Sequence, residues 1–165
     1  MVAEFDNGYI LTYWSVYSPG CGCIFLSGWY NISFTTKSEM SIYFAIAIGG
    51  SLGAVSRYWM ISSSYQWLGL GFFPYGTLIV NLLGSLLMGF LSVLLVSRFQ
   101  VSEEIRVGLL VGFLGSFTTF STFAIDSLEL ATSDAIPKMI LYVLLSVLLC
   151  ILGAWAGLFT AKQMI

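Results

Sequence analysis

The residues most suited to chemistry lie together in one stretch, residues 112–123, which reads GFLGSFTTFSTF. Two small residues, Gly115 and Ser116, precede a run in which hydroxyl side chains alternate with phenylalanines. Hydroxyls compete for backbone hydrogen bonds, so this run is a poor continuous helix. A helix that stops here frees carbonyl groups, which can hold a cation, and N–H groups, which can hold an anion. The alternative is a kinked packing helix whose hydroxyls bond to the preceding turn.

Other polar side chains recur at helical spacing outside this stretch. Thr77 and Asn81 are four residues apart and therefore share one helix face. The Asn81 amide could donate to an anion or form an interhelical hydrogen bond, and the residue pattern favours the hydrogen bond. Tyr142, Ser146 and Cys150 also repeat every four residues. They form either a stripe of O–H and S–H donors or a packing face.

The composition indicates that these groups are held within a membrane. Of the 165 residues, 58% are hydrophobic and 8% are charged, whereas soluble domains have about 25% charged residues. The mean hydropathy is +0.93. A spanning helix needs about 20 mostly apolar residues, and four stretches qualify: residues 40–61, 74–97, 107–125 and 139–161. We predict an all-α integral membrane protein with a polar loop at residues 62–66; no basic patch suggests nucleic acid.

The first 39 residues differ from the rest of the chain. They are aromatic-rich but irregular, and they lack the basic segment and the cleavage site of a signal peptide. A fifth span over about residues 9–34 would have to tolerate a Ser-Pro-Gly break. Met40 stands directly before the first good span. One hypothesis is therefore that Met40 is the natural start, that residues 40–165 form the four-helix domain, and that residues 1–39 are an upstream extension.

Basic residues are divided almost evenly between the two predicted sides of the membrane. One side carries four and the other two, namely Lys37, Arg98, Arg106 and Lys162 against Lys138 and Arg57. The positive-inside rule gives the first side only a weak preference for the cytoplasm. A chain with so little bias can insert in both orientations. Four short helices are also few to enclose a pathway, so an antiparallel homodimer is open to this chain.

Ionisable groups are scarce in the predicted spans. Arg57 lies near the end of the first one, where it can snorkel to the interface or line a vestibule for anions. Asp126 and Glu129 are predicted at the end of the third helix, so no carboxylate is expected deep in the membrane. That absence argues for passive conduction over proton coupling. The chain also has no His and no nucleophile–base pair, so we predict no enzyme.

Three ordered motifs resemble the signatures of the Fluc (CrcB-type) fluoride channels. Residues 49–58 (GGSLGAVSRY) resemble the first-helix signature, residues 76–85 (GTLIVNLLGS) the second, and residues 112–123 the third. The resemblance covers residues 40–165. It implies an antiparallel, dual-topology homodimer of four-helix subunits with a broken third helix and two pores. Such a dimer would sit in a cell inner membrane and pass fluoride passively out of the cytoplasm.

The resemblance also implies roles for individual residues. A structural sodium ion at the dimer centre would be held by the backbone carbonyls of Gly115 and Thr118. Phe120 and Phe123 would line the pores and present their electropositive ring edges to fluoride. The other pore residues expected from the resemblance are polar, with one arginine in the vestibule: Asn81, Thr77, Ser121, Thr122, Tyr142, Ser146 and Cys150, and Arg57.

Two other functions fit parts of the pattern. A small dual-topology drug exporter would also use four helices in antiparallel pairs. It should carry a membrane-embedded Glu in its first helix, and residues 41–56 contain no acid. A non-transporting membrane scaffold would explain the glycines, but it would leave Asn81 and the hydroxyl–aromatic run without a use. The fluoride channel is therefore the favoured prediction.

Overall fold

The computed structural model describes residues 38–68 and 73–165, and every regular element in these two ranges is helical. The hypothesis about the N-terminal extension falls mainly on residues outside the described ranges. Residues Met40–Ile165 form one compact unit. The elements in chain order are α1 Ser38–Leu68, α2 Tyr75–Val93, the π-helical segment π1 Leu94–Arg98, α3 Glu103–Val107, the π-helical segment π2 Gly108–Leu114, α4 Gly115–Phe117, α5 Phe120–Thr132 and α6 Ile136–Gln163.

Four helical stretches are long and apolar enough to cross a membrane, which confirms the predicted number of spans. They are Met40–Gln66, Tyr75–Arg98, Glu103–Thr132 and Ile136–Gln163. Large apolar side chains are exposed on each of these stretches. A soluble protein would bury such side chains, so their exposure fits a surface that contacts lipid or a partner helix.

The predicted polar loop at residues 62–66 is wrong, because α1 continues through it to Leu68. The serines of this segment do not end the helix. The hydroxyl of Ser64 donates to the Met60 carbonyl one turn earlier, at 2.7 Å. A serine bonded in this way satisfies its own hydroxyl within the helix.

The third span is longer than predicted. The charge-free stretch ends at residue 125, but α5 continues to Thr132. Asp126 therefore lies inside the helix and not at its end. The predicted end of the third helix is corrected accordingly, since the stretch Glu103–Thr132 includes Asp126 and Glu129.

Glycines bring the helices into direct backbone contact. On the α2–α6 interface, a Cβ added to Gly89 would strike the Ala154 carbonyl, and one added to Gly157 would strike the Leu86 carbonyl. Small residues allow this close approach in lipid, where no hydrophobic force drives helices together. α2 and α6 therefore form a tightly packed pair against which the other elements are placed.

The contact between α1 and the third span is of the same kind. A Cβ on Gly49 would strike the Gly108 carbonyl, and one on Gly53 would strike the Phe113 carbonyl. Both acceptors belong to π2, whose wider turn lies directly before α4. This contact fixes α1 beside the segment that carries the candidate site.

Candidate ion site in the third span

The helical conformation of the third span is interrupted at two residues. α4 ends at Phe117, after which Thr118 has φ −78° and ψ 157°. Thr119 follows with φ −150° and ψ 114°, and α5 begins at Phe120. Both threonines are thus extended. Backbone groups freed inside a membrane need partners from the protein or from a lined cavity.

The side-chain amide of Asn81, on α2, supplies two of these partners. Its Nδ2 donates to the Thr119 carbonyl at 2.9 Å, and its Oδ1 accepts from the Thr119 N–H at 2.7 Å. These are the interhelical hydrogen bonds that the residue pattern favoured for Asn81. One of the two amide hydrogens remains available after these bonds are made.

Thr119 also organises the start of α5 with its side chain. Its Oγ1 accepts from the Thr122 N–H at 3.2 Å and donates to the Thr122 Oγ1 at 3.0 Å. The Ser121 hydroxyl lies 3.2 Å from the same oxygen. Thr119 is not among the candidate residues predicted from the sequence, although the preference of helix N-caps for Ser and Thr would have indicated it. The expected pore hydroxyls of Ser121 and Thr122 therefore belong to a capping network.

The interruption leaves carbonyl groups on its N-terminal side. In a continuous helix, the Thr119 N–H would bond the Gly115 carbonyl four residues earlier. It bonds Asn81 instead, which removes that donor from Gly115. Gly115 is exposed on the subunit. Oxygens of this type coordinate sodium in membrane transporters whose helices are broken.

On the C-terminal side, the interruption exposes the positive end of a helix. The first N–H groups of an α-helix have no intrahelical acceptor, and α5 begins here with Phe120. The helix dipole adds to the attraction of an anion at this end. The two sides of the interruption therefore suit ions of opposite charge.

Arg57 was predicted near a helix end, but it lies at the interruption. It is well inside α1, which runs to Leu68. Its Nη1 donates to the Thr118 carbonyl at 3.4 Å, and its side chain is partly buried. The long, weak bond orients the guanidinium toward the peptide backbone, so Arg57 contacts the interruption from the α1 side.

The two expected pore phenylalanines have different surroundings. Phe120 is 79% exposed, whereas Phe123 packs inward. The ring centroid of Phe123 lies 5.3 Å from that of Phe120 and 5.4 Å from that of Tyr142. The three rings form a continuous aromatic row from the subunit surface to α6.

Tyr142 is completely buried, and its hydroxyl donates to the Asp126 carboxylate at 3.2 Å. Beside it, and facing the Tyr142 hydroxyl, lie the hydroxyls of Thr77 and Ser146, two buried side-chain oxygens that make no hydrogen bond of standard geometry in the described part of the chain. An unpartnered buried hydroxyl costs about 1–3 kcal/mol. These hydroxyls are therefore available to a bound ion that accepts hydrogen bonds. Cys150, further along α6, is a half-buried free thiol.

The expected site residues thus fall into two neighbouring groups. One surrounds the interruption and includes Asn81, Arg57, Thr118 and the capping hydroxyls. The other surrounds the buried Tyr142 ring and includes Thr77 and Ser146. Phe123 touches the Tyr142 ring and follows the interruption by one helical turn, so it connects the two groups.

Four apolar helices and a polar site within the third span define a multi-pass membrane protein. Comparison with known proteins identifies its family. Residues 44–158 match the family described as CrcB-like protein, Camphor Resistance (CrcB). This match covers well over half of the chain, which therefore belongs to the CrcB family.

Relatives of the chain include three named fluoride-specific ion channel FluC. The protein of Methylococcus capsulatus is 49% identical over 121 residues, which are 73% of this chain and 53% of the relative. That of Magnetococcus marinus is 48% identical over 117 residues, 71% of this chain and 94% of the relative. That of Geobacter sulfurreducens is 41% identical over 125 residues, 76% of this chain and 100% of the relative. The chain thus spans about half of the first relative and nearly all of the other two.

Proposed function

We propose that this chain is the subunit of a fluoride-selective passive ion channel that exports fluoride from the cytoplasm and so lowers its toxicity. Its place is the cell inner membrane. The names of the relatives support this proposal, as does the sequence of donors that the subunit offers to an anion. No step of this function requires the chain to act as an enzyme.

The observation that carries the proposal is the interruption at Thr118 and Thr119. It directs the positive end of α5 into the middle of a membrane span, where a small anion meets neutral donors, while the charge of Arg57 is turned toward the Thr118 carbonyl. Ion conduction needs binding that is favourable but weak enough for release. The remaining Asn81 amide hydrogen, the Phe120 and Phe123 ring edges, and the unpartnered hydroxyl of Thr77 provide interactions of this kind.

The functional unit in this proposal is an antiparallel homodimer with dual topology. Gly115 and Phe120 lie on the subunit surface, so a pathway beside them is incomplete in one subunit. A second copy would close it. The nearly even distribution of basic residues between the two sides supports insertion in both orientations. The third span then acts as a broken helix at the centre of the dimer.

A structural sodium ion fits the donor set of the interruption. The carbonyls of Gly115 and Thr118 would hold it, two from each subunit. The Gly115 carbonyl has lost its helical donor, and a carbonyl has two lone pairs, so the Thr118 oxygen can accept from Arg57 and still bind a cation. When bound, the ion would link the two subunits electrostatically and leave the fluoride path to side chains.

Fluoride efflux from liposomes tests this function. Purified protein is reconstituted into vesicles loaded with potassium fluoride or potassium chloride, and valinomycin starts the efflux, which an ion-selective electrode follows. We expect rapid loss of fluoride and retention of chloride. Efflux that needs a pH gradient would instead indicate proton-coupled transport, and folded protein without efflux would contradict the channel.

A further inference from the structure

The peptide group between Thr118 and Thr119 connects the proposed sodium site to the residue pair Asn81–Thr119. It contains the Thr118 carbonyl, a proposed sodium ligand, and the Thr119 N–H, which Asn81 binds. A trans peptide is planar, and its C=O and N–H point in opposite directions. No cis peptide bond occurs in the described part of the chain. Whatever holds the N–H therefore also directs the carbonyl.

Asn81 holds that N–H with the shorter of its two bonds, 2.7 Å, and holds the next carbonyl at 2.9 Å. The amide thus fixes two successive peptide groups from the α2 side. The Thr118 carbonyl is consequently directed away from α2. Arg57, on α1, reaches the same carbonyl at 3.4 Å, which agrees with that direction.

The side chain of Thr118 is fixed as well. Its Oγ1 donates to the Leu114 carbonyl at 3.1 Å, and its methyl group lies against Gly84 of α2. Rotation of this side chain would break the hydrogen bond or move the methyl group out of the space that Gly84 leaves. The peptide group is therefore fixed by Asn81. The Thr118 side chain is fixed by its hydrogen bond to Leu114 and by the space beside Gly84.

From this geometry we infer that Asn81 is a positioning residue for sodium: its amide sets the orientation of the Thr118 carbonyl and with it the affinity of the central cation site. The inference rests on the proposed function, because it requires the sodium site of the dimer. It separates two roles for Asn81. A residue that only meets fluoride would alter ion flux and leave sodium affinity unchanged.

The experiment is a sodium titration of the purified protein in detergent, with N-methyl-D-glucamine chloride replacing sodium chloride at constant ionic strength. The unfolding temperature is measured at each sodium concentration, and the midpoint of its rise gives the sodium affinity. For Asn81→Leu, which removes both hydrogen bonds and keeps a similar volume, we expect the midpoint to move to a sodium concentration about tenfold higher or more.

Thr77→Val is the matched control, since Thr77 lies one turn away on the same helix face and bonds no backbone group at the interruption. It should slow fluoride efflux and leave the sodium midpoint within about twofold. If Asn81→Leu does not fold, Asn81→Ser replaces it, because the shorter side chain cannot bridge both Thr119 groups. A wild-type midpoint in the Asn81 variant would overturn the inference.

The two proposals can fail separately. Wild-type protein that conducts fluoride but shows no sodium-dependent stabilisation would remove the sodium inference and leave the channel. Protein that is stabilised by sodium but conducts no fluoride would remove the channel, and the comparison of Asn81→Leu with Thr77→Val would still test the positioning role.

Discussion

Polar side chains inside a membrane must find their hydrogen-bond partners within the protein, and several in the described part of the chain bond a backbone carbonyl one turn earlier. Thr118 bonds Leu114 in this way, and Ser127 bonds Phe123 at 2.7 Å. Such hydroxyls are satisfied before any ion arrives. Within the described residues, the buried hydroxyls of Thr77 and Ser146 make no such bond, so they are the hydroxyls that the proposed channel has left to donate to fluoride.

Tyr142 is a different case, because its one hydroxyl proton already has an acceptor. That acceptor is the Asp126 carboxylate, at 3.2 Å. A phenol has a single O–H to donate, so Tyr142 can donate to fluoride only after it leaves Asp126. Its contribution to the proposed pore is therefore the ring, which packs against Phe123 at 5.4 Å.

Phe120→Ile tests the proposed ring-edge contact at the level of one residue. Isoleucine keeps an apolar side chain but lacks the electropositive ring edge. Because Phe120 is 79% exposed, the subunit loses little internal packing. We expect fluoride efflux from liposomes to fall about tenfold or more, since an aromatic contact worth roughly 1.4 kcal/mol corresponds to tenfold in rate.

Phe99→Ile is the control for this variant, because Phe99 is also exposed, at 62%, but follows π1 far along the chain from the interruption. It should conduct like the wild type. Gel filtration must show that both variants form the same oligomer. Equal efflux from the Phe120 and Phe99 variants would contradict a role for Phe120 in permeation.

At the scale of elements, α2 is the helix that positions the interruption. It presents Asn81 to the extended backbone and Gly84 to the Thr118 methyl group. Further along, Gly89 lets α2 pack directly on α6. One helix therefore carries both the contact that defines the site and the contact that fixes the site within the subunit.

Gly84→Ala should disturb the site through this arrangement. The added Cβ would strike the Thr118 methyl group and lie 3.3 Å from the Phe117 ring, and overpacking of this kind costs roughly 1–3 kcal/mol. Thermal unfolding should show that loss, and fluoride efflux should fall with it because Thr118 has to move.

Gly89→Ala separates the two effects, since its Cβ meets the Ala154 backbone on the α2–α6 interface. We expect it to lower the unfolding temperature at least as much. Efflux per folded dimer should nevertheless stay closer to that of the wild type. Equal efflux from the two glycine variants would mean that Gly84 has no special effect on the interruption.

At the scale of the whole molecule, the subunit surface includes an exposed glycine that contact with lipid does not explain. Gly115 is exposed, and a Cβ built on it would meet nothing nearer than the Leu110 carbonyl at 3.8 Å. No contact within the subunit requires glycine there. An exposed glycine in a membrane helix instead permits close approach of another helix, which supports the proposed homodimer.

Gly115→Leu tests the proposed dimer contact. The subunit has room for the side chain, so its helical content by circular dichroism should remain that of the wild type. The proposed partner has no such room, so light scattering coupled to gel filtration should show a shift from dimer to monomer. A stable Gly115→Leu dimer that still conducts fluoride would place the interface elsewhere.

The sequence by itself determined the class of protein and the number of spans, because both follow from how much apolar length the chain has. Hydropathy and helical length are local quantities, and they identified four stretches that the structure bears out. The hydroxyl–aromatic run of residues 112–123 likewise indicated where a continuous helix is unfavourable. Helix ends were less well predicted. Ser64 did not end α1, because its hydroxyl bonds a carbonyl within the helix. Asp126 did not end α5, and its carboxylate accepts a hydrogen bond from the Tyr142 hydroxyl.

The tertiary structure alone decided which groups are bonded to which. Asn81 and Thr119 are far apart in the sequence, and their pairing depends on the packing of α2 against the third span. The place of Arg57 beside the Thr118 carbonyl depends in the same way on the glycine contact between α1 and π2. A hydrogen bond between distant residues requires both helices to be in position, and no local pattern in the chain records that position.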